Sequence, residues 1–351
     1  MTRVHITALT GLLLLACVST PNIWGSAPIT APSARDAVPT LNETATATLP
    51  PTSTSTPTPS PTVTLTPTVT LTPTATPPSM GIARVIIVSF DGMRPDAIEA
   101  APMPNLISLM NTGAYSLTAR TISYAVTLPG HASMLSGMCQ AKHGVDWDVT
   151  TYYKGYSKGT DIFDLAHAAG LKSVMIVNKE KMRQLAEPET TDVFEIVYGV
   201  ESTIMKAAIA QLTTGFDLMF IHIGSPDYRG HGYGWMSDAQ LKALQNGDAA
   251  LGLLLEALDQ QGLRDSTLVI VTADHGGHDR THVGTVIEDL LIPWIVSGPG
   301  IRPGQLSTQV NIMDTAATAA YALELPIPAE WDGVPVMELF GFPVELQSIT
   351  C

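Results

Sequence analysis

Short apolar runs alternate with longer segments whose apolar positions recur every three or four residues. "ARVIIVSFDG" (83–92), "KSVMIVN" (172–178), "DLMFIHIG" (217–224) and "TLVIVTADHGG" (267–277) are β-branched and apolar until they turn polar at one end. Such continuous runs predict strands buried on both faces, as in a parallel sheet. "AYSLTAR" (114–120) and "IPWIVSG" (292–298) add two further strands. Residues 95–113, 161–170, 201–215, 237–262 and 313–325 carry the helical period, and several stop at a glycine. Strands alternating with helices predict an α/β fold, a mostly parallel central sheet with helices on both faces. In open sheets of this kind ligands bind beyond the carboxyl ends of the strands. Three of those ends are polar here: Asp91, Asp227 with His231, and Asp274 with His275.

The chain before residue 81 has a different pattern. Residues 40–78 are almost entirely Thr, Pro, Ser and Ala. Proline removes backbone donors, and these side chains cannot build a core, so an extended stalk that could carry O-linked sugars is expected over 18–80. Residues 1–17 read as an export signal, with Arg3 ahead of "GLLLLAC". "LLAC" resembles a bacterial lipobox, which would place a lipid on Cys17 and anchor the protein to the outer face of the cell membrane. An ordinary signal peptide with a chance Cys is the alternative. The run is too short to span a bilayer as a helix. Residues 81–351 are left as one large α/β domain. Cys139 and Cys351 can pair in an oxidising compartment, or remain a buried thiol and an untethered end. The net charge of −14, with no basic cluster, argues against a nucleic-acid groove.

Four stretches carry candidate chemistry. An Asp-Gly after a strand, as at Asp91, is by default a turn. In "GSPDYRGHGYG" (224–234), Asp227 and His231 stand four apart in what reads as a Gly-rich loop, and Asp with His suits zinc or a similar metal. In "VTADHGGHDRTHVG" (271–284), two aspartates and three histidines fall within nine residues, in a chain that is 14% charged. Gly276-Gly277 would let the backbone turn there. In "YAVTLPGHASMLSG" (124–137), Thr127 is by default an N-cap, and alternatively a nucleophile that a metal could activate. A helix N-terminus beside it would favour a phosphate.

Together, "SFDGMRPD", "TLPGHASMLSGMCQAKHGV", "GSPDYRGHGYG" and "TADHGGHDRTHVG" closely resemble the nucleotide pyrophosphatase/phosphodiesterase branch of the alkaline phosphatase superfamily. The resemblance runs from about Ile82 to about Val336. It implies an alkaline-phosphatase-like fold, two divalent metal ions and hydrolysis of phosphate esters through a phospho-threonine. Carried over by position, Asp91, Thr127, Asp274 and His275 hold one ion, with Thr127 also the nucleophile. Asp227, His231 and a later His hold the other. His282 is assigned here over His278, because "THVG" resembles the family's His-x-Gly and leaves a longer loop to swing back. A ligand set of Asp and His without Cys fits zinc and tolerates manganese.

Two features depart from the family. The last His follows the Asp-His-Gly with no insertion between them. Asp148 stands where the family places an Asn that holds a phosphate oxygen, and a carboxylate there repels phosphate unless it is protonated or screened. Asp148 is therefore turned away, binds a further cation, or faces an unusual substrate. Tyr228, Tyr233 and Trp235 lie close enough in sequence to line a substrate pocket, or else pack. Phosphonate hydrolysis, monoesterase activity and a phosphate-binding lipoprotein without turnover are the alternatives. A sulfatase would need Cys or Ser where Thr127 stands.

Overall fold

A computed structural model describes residues 81–344 and Cys351. The export signal (1–17), its Cys17 and the stalk (18–80) lie outside the described residues. Eight strands form one sheet: β1 (Arg84–Phe90), β2 (Ala114–Arg120), β3 (Ser173–Val177), β4 (Val193–Ile196), β5 (Leu218–Ile223), β6 (Thr267–Thr272), β7 (Leu291–Ser297) and β8 (Gly304–Gln305). Their order is β4-β3-β5-β1-β6-β7-β2-β8. The five strands from β4 to β6 are parallel, and β7 runs against both of its neighbours. The sheet is mostly parallel with helices on both faces, as the alternating pattern predicts. Strands β5 and β6 are buried at every position and β1 at all but its first, which explains their unbroken apolar runs.

The register places the site. Strand β1 is central, pairing Phe90 with Ile223 of β5 and Ser89 with Thr272 of β6. Three strand ends are thus level, and Asp91, the segment after Gly224, and Asp274 emerge side by side. Strand β3 borders β5 and delivers Asn178 and Lys179 to the same edge.

Helix Asp238–Gln260 starts at Ser237, whose hydroxyl accepts from Gln240 N–H, and packs against helices Glu201–Thr214 and Ser225–Tyr233. Helix Thr127–Ser136 packs against Asp314–Ala322 and Ile162–Ala168. The latter opens on a capping box between Asp161 and Asp164. Cys139 and Cys351 form a disulfide, with Cα atoms 5.4 Å apart, so the last residue is tied to the segment after helix Thr127–Ser136. Among the described residues no helix is long and apolar enough to cross a membrane.

Candidate active site

The expected site residues converge beyond the carboxyl ends of β1, β5 and β6. They form two clusters, each of three residues that could hold a metal ion: Asp91, Asp274 and His275, and Asp227, His231 and His282. In the first, His275 Nε2 lies 3.5 Å from Asp91 Oδ1 and 3.3 Å from Asp274 Oδ2. In the second, Asp227 Oδ1 lies 3.3 Å from His231 Nε2 and 3.8 Å from His282 Nε2.

The second cluster corrects a local expectation. "GSPDYRGHGYG" is not a loop. Ser225–Tyr233 is a helix, with proline in its first turn. Asp227 and His231 are therefore one turn apart on the same helix face. Gly230 is admitted because Trp235 lies against it, where a Cβ would stand 2.8 Å from the indole. Packing thus overrides the poor helix propensity of the sequence.

Gly276 and Gly277 also act differently from expectation. Neither takes a positive φ. A Cβ on Gly276 would stand 2.0 Å from the Glu288 carbonyl oxygen, and one on Gly277 2.1 Å from Trp235. They permit close approach, which pins the segment behind His275. His278 turns away and bonds Asp289 through Nδ1 at 2.7 Å. His282, by contrast, swings back to the second cluster.

Both clusters have the electronic form of cation sites. Each of the three histidines donates Nδ1–H to a backbone carbonyl: His231 to Arg280 at 3.0 Å, His275 to Gly276 at 2.9 Å, His282 to Ala125 at 2.6 Å. A carbonyl can only accept, so each Nε2 keeps its lone pair facing inward. Asp91 Oδ1, Asp227 Oδ1, Asp274 Oδ2 and His275 Nε2 are buried without a hydrogen-bond partner. Buried orphan acceptors are costly, and a divalent cation in each cluster would satisfy them. The residues present therefore fit the implied metals.

Thr127 is the first residue of its helix and is buried. It is not an N-cap. Val126 holds that position with no side-chain cap bond, so the Thr127 hydroxyl is not engaged in capping. His131, one turn on, donates Nδ1–H to the Thr127 carbonyl at 2.8 Å and accepts from the Ser89 hydroxyl at Nε2, also at 2.8 Å. This ties the Thr127 turn to β1.

Lys179 and His222 were not among the expected site residues. Lys179 Nζ lies 2.6 Å from Asp91 Oδ2, 2.6 Å from Asp227 Oδ2 and 3.3 Å from Thr127 Oγ1. His222 Nε2 contacts Asp91 Oδ2 at 2.8 Å. Burial pushes the Asp91 carboxyl up, but Lys179 and His222 outweigh it and hold it well below the usual carboxylate range. Burial, reinforced by the charge of Asp91, holds Asp274 well above that range. Burial and the nearby His275 lower His282 to about 4, whereas the adjacent Asp227 carboxylate raises His231.

Asp148 sits at the start of the Thr127 helix. Its Oδ1 accepts from Leu128 N–H and from Lys181 Nζ, each at 2.8 Å. The Lys181 ammonium offsets its charge, and Leu128 N–H ties it to the helix start. The Tyr228 ring is exposed and lies 5.1 Å from Lys179 Nζ, at the rim. Tyr233 is exposed farther along the helix. Trp235 is buried behind the site, donating Nε1–H to the Gly92 carbonyl at 2.9 Å and presenting its ring to His231 and His282.

Residues 85–294 match the family model described as type I phosphodiesterase/nucleotide pyrophosphatase. Mouse ectonucleotide pyrophosphatase/phosphodiesterase family member 3 is 26% identical over 227 residues, 57% of this chain and 25% of the relative. The venom phosphodiesterase of Naja atra is 25% identical over 214 residues, 55% of this chain and 26% of the relative. The chain thus spans about a quarter of the length of these relatives. Among solved structures, an inactive murine ectonucleotide pyrophosphatase/phosphodiesterase 5 in complex with AMP superposes with TM-score 0.62 at 16% identity, covering 73% of this chain and 99% of that one. A phosphonate monoester hydrolase from Silicibacter pomeroyi gives 0.58 at 13% identity, covering 76% and 78%. At such identities these two likenesses show the fold alone.

Proposed function

Because the chain belongs to the type I phosphodiesterase/nucleotide pyrophosphatase family, we propose that it is a two-metal hydrolase of phosphodiester or nucleotide pyrophosphate bonds, with Thr127 as its nucleophile. The observation that carries the reading is the convergence of unpartnered ligand atoms, Asp91 Oδ1, Asp274 Oδ2 and His275 Nε2 on one side and Asp227 Oδ1 on the other. Zinc suits the donor set of Asp and His. Asp91, Asp274, His275 and Thr127 would hold one ion, and Asp227, His231 and His282 the other. Bound there, the ions would supply positive charge for the phosphate oxygens and Lewis acidity at the nucleophile and the attacking water.

The chain's own residues do the rest. The Thr127 oxygen attacks phosphorus as its proton passes to the departing alcohol or nucleotide, and water then cleaves the bond between Thr127 and phosphorus, returning a proton to the threonine. His131 and Ser89 keep the Thr127 turn fixed, so the oxygen meets phosphorus without reorganisation. Tyr228 stands at the rim, where it would contact the leaving group. Asp148 would face the substrate from the Thr127 helix. A small phosphorylated substrate, export from the cell and a lipid on Cys17 complete the proposal. The Cys139–Cys351 disulfide supports an oxidising compartment.

The test uses the zinc-loaded protein with an aryl phosphodiester and the matching monoester. Diester turnover abolished by Thr127→Ala is the expected result. Monoester turnover alone would move the protein to the phosphatases. No turnover with both ions bound would favour the phosphonate or binding-protein alternatives.

A further inference from the structure

The Lys179 ammonium donates to Asp227 Oδ2 of the second cluster and to Thr127 Oγ1, and forms an ion pair with Asp91 Oδ2 of the first. The oxygens it takes are the outer ones. The inner oxygens, Asp91 Oδ1 and Asp227 Oδ1, are the orphans that face the two clusters. A lysine that merely filled the clusters in place of metal would hold those inner oxygens. Instead it leaves both sets of ligand atoms free. The side chain is 6% exposed, and its position is set by the end of β3, the strand beside β5. Without this charge, three buried carboxylates would face one another.

We propose that Lys179 is a catalytic residue of this site: a tethered third cation that clamps Asp91 and Asp227 by their outer oxygens across the two metal positions and holds charge against Thr127 Oγ1 as that oxygen attacks. The role at Thr127 rests on the reading of Thr127 as nucleophile. The clamp across the carboxylates does not.

The two parts give opposite signs in one variant. In Lys179→Met a positive charge beside two divalent cations is gone, while the inward ligand atoms remain. Zinc therefore binds at least severalfold more tightly. Diester turnover falls about a hundredfold, with KM changed only a few-fold, because the lost interaction acts on the reacting oxygen. A lysine that served only to keep the site folded would instead loosen zinc and slow turnover together.

The experiment is a calorimetric zinc titration of the full chain, followed by kinetics with an aryl phosphodiester, on wild type, Lys179→Met and Lys179→Ala. Tighter zinc with slower turnover is expected. Partial restoration of Lys179→Ala by propylammonium, and not by propanol, is expected as well, since the amine replaces the missing charge in a buried slot. Weaker zinc binding in both variants, unchanged turnover, or equal rescue by propanol would overturn the proposal. If wild type turns over no diester, or Thr127→Ala keeps its activity, the nucleophile reading fails and the role at Thr127 falls with it. The zinc titration alone then decides the clamp.

Discussion

The two clusters differ in how they are built. Asp91, Asp274 and His275 follow the ends of β1 and β6, and all three are fully buried. Their backbone is fixed by the sheet, and Asp274 Oδ1 is further held by Gly92 N–H at 3.1 Å. Asp227, His231 and His282 come from a helix and a loop. The His231 side chain is 45% exposed, against 4% for Asp227. The strand-end cluster sits beside the proposed nucleophile, whereas the other opens to water. One part of the site is thus rigid and dry, and the other is reachable by solvent. That division suits the proposed order of events, attack on phosphorus at the buried side and then entry of water.

The buried cluster should tolerate no loss. In Asp274→Asn the orphan oxygen that faces the cluster becomes an amide of lower ligating power, with no room to rearrange. Diester turnover is expected to fall by about a thousandfold or more, and added zinc should not restore it. Substantial activity recovered at high zinc would show that this cluster is as adaptable as the other.

The open cluster should be more forgiving. For His231→Ala, water can enter at the exposed position. Zinc affinity at this cluster is expected to fall about a hundredfold, with most of the turnover regained at excess zinc. Chelator titration with metal analysis would check this. Simultaneous loss of both ions would show that the clusters do not fill separately.

The same contrast has a pH signature within the open cluster. His282 is lowered to about 4 while His231 is raised. Between the unfolded value of about 6.5 and the folded value, the unfolded chain binds the proton of His282 and the folded one does not. This contribution is present at neutral pH and is lost as pH falls through that window. It amounts to about 2 kcal/mol between pH 7 and pH 5. His231 acts in reverse, adding stability at acid pH that is lost as pH rises through its raised value. Urea unfolding of the metal-free protein at both pH values should show a smaller acid loss for His282→Gln than for wild type. Equal losses would mean that His282 is not held neutral.

The sheet was legible because buried parallel strands cannot hide their β-branched runs. Strand β4 is short and half-exposed and β8 has two residues, so neither leaves a pattern in the sequence. The helix carrying Asp227 and His231 was unreadable locally, because its Gly230 is explained only by Trp235 packing beside it. The resemblance to the family supplied two candidate sets of residues, and the structure gathers them at one edge of the sheet. Lys179 was missed for a plainer reason. Acids and histidines at strand ends stand out as metal ligands, whereas "IVNKEK" carries cations there. Applied without regard to sign, the same rule would have marked it.

The smallest expected effect concerns Asp148, which stands on the Thr127 side and has no counterpart in the open cluster. Its carboxylate already occupies Leu128 N–H, a donor at the helix N-terminus where an anion would be favoured. Lys181 offsets the charge, but the donor remains taken. A diester brings one negative charge to this place and a monoester close to two. The second charge would face Asp148 without a free donor to meet it. The monoester is therefore penalised more, and Asp148→Asn should raise the monoester-to-diester ratio of kcat/KM by about tenfold. The gain should come from the monoester, with the diester nearly unchanged. A ratio that stays constant, or a diester that loses as much as the monoester gains, would mean that Asp148 positions the helix and does not sense the charge of the substrate.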